Sequence, residues 1–113
     1  MRFEYPSATL TRAVDGDTVH LSVDVGFGMT FKGPFRLAHI DSHERGSPEG
    51  AVSTGYMKAK EGGKFALRSI GKDKWGRWLA ELIKPDGTTL NEEMLAAGHA
   101  TPYEGGKRDA VAR

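Results

Sequence analysis

Residues 18–25 read TVHLSVDV and give the strongest indication of the fold. This stretch alternates strictly, because Val19, Leu21, Val23 and Val25 are apolar and the residues between them are polar. Successive side chains of a β-strand point to opposite faces, so this period of two predicts a strand with one buried face. It is the clearest strand signal in the chain.

Short strands are also predicted on both sides of this stretch. Residues 8–14 predict a preceding strand, and the Asp-Gly pair at residues 15–16 is a turn signal that would connect the two. The sequence GFG at residues 26–28 allows a turn or bulge before residues 29–31, and residues 34–40 predict a third strand. Three short strands joined by turns are typical of an antiparallel meander.

Two short helices are predicted further along the chain. The first lies between Gly46 and Gly63, in a segment of helix-tolerant residues that ends at a glycine pair. The second is LNEEMLAAG, residues 90–98, in which Asn91 is predicted as the N-cap and Gly98 as the C-terminal stop. Two glutamates in its first turn would interact favourably with the helix dipole.

Two further strands, at residues 64–70 and 78–83, complete the pattern. In the first of them Phe65, Leu67 and Ile70 are predicted to face inward. The resulting order is three strands, a helix, two strands and a helix. This order predicts a mainly β (α+β) fold, a five-stranded Greek-key barrel of the oligonucleotide/oligosaccharide-binding (OB) kind.

Composition restricts the classes of protein to which the chain could belong. Its 113 residues suit one compact domain, residues 1–113, whose glycine- and charge-rich tail is predicted to be irregular from about residue 103. The absence of cysteine excludes disulfide bonds and thiolate metal sites. Sixteen basic and fifteen acidic residues give a net charge of +1, which argues against binding nucleic acid through a broad positive field.

The sequence also gives expectations about location and assembly. No segment is apolar enough to span a membrane, and the N-terminus has no basic flank followed by an apolar run. We therefore expect no membrane partner, no signal peptide in this chain and, by default, a cytoplasmic location. The expected assembly is a monomer or a weak homo-oligomer.

Charged side chains cluster where the predicted strands end, at residues 15–17, at Arg36, at residues 41–44 and at residues 73–77. Each cluster alone is explained by solvation or by a structural ion pair. Together they supply two carboxylates for a hard divalent cation, a third carboxylate that could activate water, and two arginines whose forked donors suit a phosphate. This combination predicts a phosphodiesterase.

Four segments resemble the staphylococcal nuclease (thermonuclease) family, in that family's order. They read VDGDTV, FRLAHIDSHE, DKWGRWLAEL and LNEEMLAAGHA, at residues 14–19, 35–44, 73–82 and 90–100. Each motif alone is weak, but the ordered set is specific and covers most of the domain. The resemblance implies a calcium-dependent nuclease of low sequence specificity that hydrolyses DNA and RNA and leaves 3′-phosphate ends.

The resemblance also implies a metal site. Asp17 and Asp41 match the family's carboxylate ligands to calcium, and the main-chain carbonyl of Ser42 matches a further ligand. Mg²⁺ or Mn²⁺ is the alternative cation. Asp15 is expected to support the turn that brings Asp17 to the ion.

Catalytic and substrate-binding roles are implied in the same way. Glu44 matches the residue that acts as general base or orients the attacking water, and Arg36 and Arg77 match the two phosphate-binding arginines. Further contacts to the substrate are expected from Lys74, Trp75 and Tyr103.

Two alternatives remain beside this interpretation, and a small endonuclease that prefers one DNA structure or strand state is a refinement within it. The first is a catalytically silent OB-fold module that only binds nucleic acid, although such a module has no physical need for the complete set of acidic and basic residues. The second is a zinc or nickel site at His39 and His43, which lie close in sequence to Asp41 and Glu44. The spacing of the two histidines straddles a strand end instead of a helix turn, which argues against this site.

Overall fold

The structure, a computed structural model, describes residues 3–104 and contains a barrel, a small second sheet and two helices within that range. In chain order the elements are β1 (Phe3–Ala13), β2 (Thr18–Gly26), β3 (Met29–Leu37), β4 (Ile40–Ser42), α1 (Pro48–Lys58), β5 (Lys64–Ser69), β6 (Trp78–Ile83), α2 (Leu90–Ala96) and β7 (Ala100–Pro102). Five strands close the barrel in the order β1-β2-β3-β6-β5, and β4 pairs with β7. The predicted mainly β, OB-fold-like barrel is therefore confirmed.

The alternation in β2 determines which of its side chains enter the barrel. Val19, Leu21 and Val23 are buried, and the polar residues between them lie on the opposite face. β2 pairs antiparallel with both β1 and β3, as the predicted meander requires. The barrel closes through antiparallel pairing of β1 with β5 and parallel pairing of β3 with β6.

The predicted boundaries of the third strand were wrong. One continuous strand, β3, runs from Met29 through Pro34 to Leu37. The chain then leaves the barrel at His39, whose positive φ of 70° interrupts the extended conformation, and β4 begins at the next residue. The ladder to β6 begins only after Pro34, so this proline, which has no N–H to donate, lies outside that ladder.

The turn predicted at residues 26–28 is confirmed. Phe27 and Gly28 connect β2 to β3, and their φ angles are 57° and 73°. Positive φ at both central residues is typical of the two-residue hairpin turns that match strand twist.

Both helices are present, but the predicted N-cap of the second was wrong. Thr89 caps α2 and forms a capping box with Glu92. Asn91 is instead buried inside the fold, where its side chain donates to the carbonyls of Ala38 and Ala80 and accepts from the Leu82 N–H. Gly98 follows the helix with φ 79°, as predicted for the stop.

The barrel core contains inward-facing residues of all five barrel strands. Phe65 and Leu67 are buried as predicted, but Ile70 is 40% exposed, because β5 ends at Ser69 and Ser69 takes the buried position. Leu90 and Met94 of α2 and Met57 of α1 extend this core beyond the barrel.

The last described strand was not predicted. β7 pairs antiparallel with β4, with Asp41 opposite Thr101, and this pairing brings Tyr103 next to the end of β3. The prediction of an irregular tail concerns residues that lie mainly outside the described range. Within residues 3–104, no helix is both long and apolar enough to cross a bilayer.

Candidate functional site

A cavity of about 440 Å³ opens beside the start of β2 and the end of β3. It collects side chains from four segments that are distant in the sequence. Of the nine residues predicted as catalytic, metal-binding or substrate-binding, all but Lys74 line this cavity: Asp17, Arg36, Asp41, Ser42, Glu44, Trp75, Arg77 and Tyr103. Lys74 lines an adjoining cavity of about 320 Å³, which shares Arg36, Arg77, Trp75 and Tyr103 with the first.

The loop before β2 is shaped by Asp15. Its Oδ1 accepts hydrogen bonds from the N–H groups of Asp17 and Thr18, at 3.1 and 3.0 Å. Burial raises the pKa of the Asp15 carboxyl, and the neighbouring Asp17 raises it further. Asp15 therefore organises the turn that presents Asp17 to the cavity.

Asp17 is only 8% exposed and is held from both of its oxygens. Oδ2 accepts from the Ser42 N–H at 2.9 Å, and Oδ1 accepts from the Thr18 hydroxyl at 3.2 Å. Burial raises the pKa of Asp17, but the charge of Arg36 and the Ser42 hydrogen bond outweigh it, so the pKa lies below its ordinary value. Asp17 therefore enters the site as a carboxylate.

Gly16 allows this loop to pass close to β4. A Cβ atom at Gly16 would lie 2.6 Å from the Cβ of Ser42, closer than two carbon atoms can approach. Any side chain here would push the loop away from Ser42. The glycine is thus required for the bond between Asp17 and the Ser42 N–H.

Arg36 lines the cavity and is only 8% exposed. Its Nη1 donates to the carbonyls of Leu37 and Ile40, at 3.2 and 3.0 Å, and its Nη2 donates to Asp41 Oδ1 at 3.1 Å. The ring of Tyr103 stacks against the guanidinium, with its centroid 5.2 Å from Cζ. The positive charge is therefore fixed where β3 ends and β4 begins.

Arg77 reaches the cavity from the turn between β5 and β6. Its Nε donates to Asp73 Oδ2 at 2.8 Å and its Nη1 to the Thr18 hydroxyl at 3.4 Å. Asp73 Oδ1 also accepts from the N–H groups of Trp75 and Arg77. Burial raises the pKa of Asp73, but these hydrogen bonds and the charge of Arg77 lower it below its ordinary value.

Glu44 lies at the open edge of the cavity, and its side chain is exposed. Its main chain is anchored to the start of α1, because its carbonyl oxygen accepts from the Ser47 hydroxyl at 2.6 Å. Gly50 packs so tightly against the same carbonyl that a Cβ there would lie 1.9 Å from the oxygen. The backbone of Glu44 is therefore fixed while its carboxylate faces solvent.

Of the substrate-binding candidates, Trp75 and Tyr103 line both cavities and Lys74 lines only the adjoining one. Trp75 is 73% exposed, and the Lys74 ammonium lies 5.4 Å from the centroid of its ring. Tyr103 is fixed by a hydrogen bond from its N–H to the His39 carbonyl at 2.9 Å. Lys72, which the sequence did not single out, lines the same adjoining cavity.

Two carboxylates of the cavity lie close to each other, at Asp17 and Asp41. Asp17 Oδ2 and Asp41 Oδ1 lie 3.5 and 3.1 Å from the same nitrogen, Arg36 Nη2, so the two side chains are close neighbours. Carboxylate and carbonyl oxygens are the ligands that Ca²⁺, Mg²⁺ and Mn²⁺ prefer. Within the described residues, no three His, Asp or Glu side chains are grouped closely enough to form a metal site by themselves.

The two histidines near the cavity contact separate partners. His39 bonds to Glu81 at 2.9 Å and to Glu104 at 3.2 Å, whereas His43 bonds to the Gly98 carbonyl at 2.8 Å. Burial lowers the pKa of His39, but the hydrogen bonds to Glu104 and Glu81 outweigh it and leave the pKa above its ordinary value. The two rings do not converge on a common point, as a zinc or nickel site at this position would require.

The sequence interpretation missed the roles of Thr18 and Asp73. Thr18 follows Asp17 directly, and Asp73 begins the DKWGR segment, so both were within segments already noted. Their roles depend on hydrogen bonds to Arg77, which lies 59 residues from Thr18 along the chain. A sequence alone carries no signal for that bond.

Three known proteins resemble this chain over most of its length. It is 33% identical over 103 residues to a protein named uncharacterized endonuclease from Escherichia coli O157:H7, and the match covers 90% of this chain and 64% of that protein. A protein of the same name from Escherichia coli matches with the same identity and coverage. Endonuclease YhcR of Bacillus subtilis (strain 168) is 31% identical over 107 residues, covering 81% of this chain and 8% of YhcR.

The chain is similar to proteins named endonucleases. It spans 64% of the length of the two Escherichia coli proteins. No protein-family model matches it.

Proposed function

We propose that this chain is a metal-dependent phosphodiesterase that cleaves DNA and RNA with low sequence specificity. The observation that carries the proposal is the meeting of Asp17, Asp41, Glu44, Arg36 and Arg77 at one cavity. The similarity to proteins named endonucleases supports a nucleic-acid substrate. The resemblance of the motifs to staphylococcal nuclease supports calcium as the cation and 3′-phosphate ends as products.

Asp17, Asp41 and the main-chain carbonyl of Ser42 are the residues that would hold the cation. When bound there, Ca²⁺ would supply positive charge for a non-bridging phosphate oxygen and would help to position a water molecule. Asp17 suits this role because its low pKa keeps it ionised. Asp41 suits it because it lies beside Asp17 across the guanidinium of Arg36.

Glu44 is proposed to accept a proton from the attacking water. Its carboxylate lies at the edge of the cavity that opens to solvent, where a water molecule can reach it. The water oxygen forms a bond to phosphorus, and the bond between phosphorus and the 5′ oxygen breaks. The 5′ oxygen takes a proton from solvent, so the products are a 3′-phosphate and a 5′-hydroxyl.

Arg36 and Arg77 are proposed to stabilise the charge that builds up on the phosphate. A phosphodiester carries one negative charge, and the transition state carries two. Planar guanidinium groups bind phosphate oxygens in pairs, and fixed donors gain most where the charge develops. Both arginines are held by acidic partners, Arg36 by Asp41 and Arg77 by Asp73.

The adjoining cavity is proposed to receive the base next to the cleaved bond. Trp75 and Tyr103 offer aromatic faces, and stacking of a base on such a face contributes about 1–3 kcal/mol with little dependence on sequence. Lys74 would contact a neighbouring phosphate. This arrangement supports low specificity, because neither contact reads the edge of a base.

The experiment compares Glu44→Gln with Glu49→Gln on labelled single-stranded DNA, duplex DNA and RNA, with Ca²⁺ and with a chelator. Glu49 is an exposed glutamate in the first turn of α1 and does not line the cavity, so it is the matched control. We expect the wild type and Glu49→Gln to cleave only with the cation, and Glu44→Gln to lose at least a hundred-fold in kcat, within the range of about 10²–10⁴ for general base catalysis.

Two outcomes would contradict the proposal. Cleavage that survives both the chelator and Glu44→Gln would assign the chemistry to another site. Binding of oligonucleotides without any cleavage by the wild type would support the silent OB-fold module instead.

A further inference from the structure

A threonine to which the motifs give no role lies between Asp17 and Arg77 in the candidate site. Thr18 is the first residue of β2 and is 9% exposed. Its N–H donates to Asp15 Oδ1 at 3.0 Å, its carbonyl accepts from the Val14 N–H at 2.9 Å, and it lies opposite Arg36 in the ladder to β3. The main chain of Thr18 is thus fixed on both sides.

The hydroxyl of Thr18 connects Arg77 to Asp17. It lies 3.2 Å from Asp17 Oδ1 and 3.4 Å from Arg77 Nη1. A guanidinium can only donate a hydrogen bond and an ionised carboxylate can only accept one, whereas a hydroxyl does both. The direction is therefore determined: Arg77 donates to Thr18, and Thr18 donates to Asp17.

This chain of two bonds controls the orientation of Arg77. The guanidinium is held at Nε by Asp73, at 2.8 Å, and at Nη1 by Thr18. One anchor leaves a planar group able to turn about that contact, whereas two anchors on different nitrogens define its plane. The Thr18 anchor also ties that plane to Asp17, which lines the same cavity.

We propose that Thr18 is a positioning residue that aligns the phosphate-binding fork of Arg77 with the cation-binding carboxylate of Asp17. It acts through these two side chains and does not itself touch the substrate. The inference rests on the proposed function, since it assigns Thr18 a part in the same reaction. It deepens that function by joining two groups that otherwise belong to separate segments of the chain.

The test compares Thr18→Val, which keeps the shape but removes the hydroxyl, with Thr18→Ser, which keeps the hydroxyl. Thr18→Val removes both hydrogen bonds of the hydroxyl, and the loss of the one that anchors the charged Arg77 predicts a decrease of about ten- to a hundred-fold in kcat, with KM changed by less than about three-fold. Thr18→Ser should retain kcat within about three-fold of the wild type. Thr11→Val is the matched control, because it also removes a strand hydroxyl with a hydrogen bond, from Thr11 to the His20 carbonyl, away from the cavity.

A second measurement separates this inference from the proposed function. The ¹⁵N NMR signal of the Arg77 Nε–H group reports the order of the guanidinium without any turnover. We expect the signal to be sharp in the wild type, Thr18→Ser and Thr11→Val, and broadened or rapidly exchanging in Thr18→Val. If the wild type cleaves nothing, the proposed function fails, and this signal still reports whether Thr18 holds Arg77.

Three results would overturn the inference. The first is an unchanged Arg77 signal in Thr18→Val, and the second is an unchanged kcat in an active Thr18→Val enzyme. The third is a loss in Thr18→Val that Thr18→Ser fails to restore, because the loss would then come from packing and not from the hydroxyl. If Thr18→Val does not fold, Thr18→Ala carries the same comparison.

Discussion

Arg36 donates from Nη2 to Asp41 Oδ1 at 3.1 Å. Its Nη1 donates to two main-chain carbonyls, at the end of β3 and the start of β4. One guanidinium thus fixes both the local fold and a carboxylate of the candidate site. A lysine would keep the charge but lose the planar fork. We expect Arg36→Lys to lower kcat by about a hundred- to a thousand-fold and the free energy of unfolding by about 1–3 kcal/mol.

Oligonucleotide cleavage rates and urea denaturation measure these two effects of Arg36→Lys. Arg12→Lys is the control, since Arg12 is exposed on β1 and does not line the cavity. Near-normal turnover of Arg36→Lys would show that the fork of Arg36 is not needed for the reaction.

The close contact between Gly50 and the Glu44 carbonyl predicts that a substitution in α1 will displace Glu44. Because a Cβ at this position would lie 1.9 Å from the Glu44 carbonyl oxygen, Gly50→Ala must displace the Glu44 main chain. We expect a loss of about 1–3 kcal/mol in the free energy of unfolding, together with a lower kcat. Thermal unfolding and cleavage assays measure the two quantities.

Gly55→Ala provides the control for Gly50 on the same helix. No atom lies within 4 Å of a Cβ built at Gly55, so alanine there should stabilise the protein by about 0.4–1 kcal/mol and leave kcat unchanged. Equal behaviour of the two variants would mean that the contact between Gly50 and Glu44 does not hold the loop.

We expect a large loss of stability when the buried amide of Asn91 is removed. Its amide serves three buried main-chain groups around β6, the Leu82 N–H and the carbonyls of Ala38 and Ala80. Alanine would remove this partner from all three, and only the Ala80 carbonyl would keep another within the described residues, because it also accepts from the Ala38 N–H at 2.8 Å. Each unsatisfied buried group costs about 1–3 kcal/mol, so Asn91→Ala should lower the free energy of unfolding by about 2 kcal/mol or more. Glu92→Ala, which removes only the exposed capping box, should cost about 1 kcal/mol in the same denaturation assay.

The lowered pKa of Glu93 predicts that the protein loses part of its free energy of unfolding in acid. Hydrogen bonds from Lys60, Lys84 and Tyr56 lower the pKa of Glu93 from 4.5 to about 2. A carboxyl whose pKa is lower in the folded state stabilises the protein above its unfolded pKa and loses that contribution as pH falls through its folded pKa. The contribution of Glu93 should therefore be complete above about pH 4.5 and fall away between about pH 4.5 and pH 2.

Urea denaturation at a series of pH values tests this expectation for Glu93. The stability of Glu93→Gln should be lower than that of the wild type at neutral pH, and the two should approach each other toward pH 2. Glu92→Gln, a change on the same helix outside this network, should keep the wild-type pH profile. A constant difference between Glu93→Gln and the wild type at all pH values would contradict the assigned pKa.

The parts of the fold that could be predicted are those that local patterns determine. The alternation of Val19, Leu21 and Val23 identified β2, and the glycines at 26–28 and at Gly98 marked a turn and a helix end. These features depend on the period of a strand or on backbone conformations available to glycine. Both can be read from a few neighbouring residues.

The parts that could not be predicted depend on contacts between distant segments. Asn91 has the preference of an N-cap, but three buried main-chain groups give its side chain a stronger role inside the fold. β4 and β7 contain three residues each, too few for a pattern, and they exist because they pair with each other.

The residues of the candidate site could also be predicted from the sequence, but the bonds between them could not. The side chains that line the cavity could be identified from charged residues at strand ends and from the family resemblance. The bonds that orient them, such as that from Arg77 to Thr18, join residues far apart in the chain and required the structure.

The proposed reaction requires one cavity to hold a divalent cation and a scissile phosphodiester together. Mass spectrometry of a defined oligonucleotide, incubated with the wild-type protein and either Ca²⁺ or a chelator, measures this requirement. We predict fragments that end in 3′-phosphate and 5′-hydroxyl groups with Ca²⁺, and an intact oligonucleotide with the chelator. An oligonucleotide that stays intact in Ca²⁺, Mg²⁺ and Mn²⁺ alike, or one that is cleaved equally with the chelator, would contradict the proposed reaction.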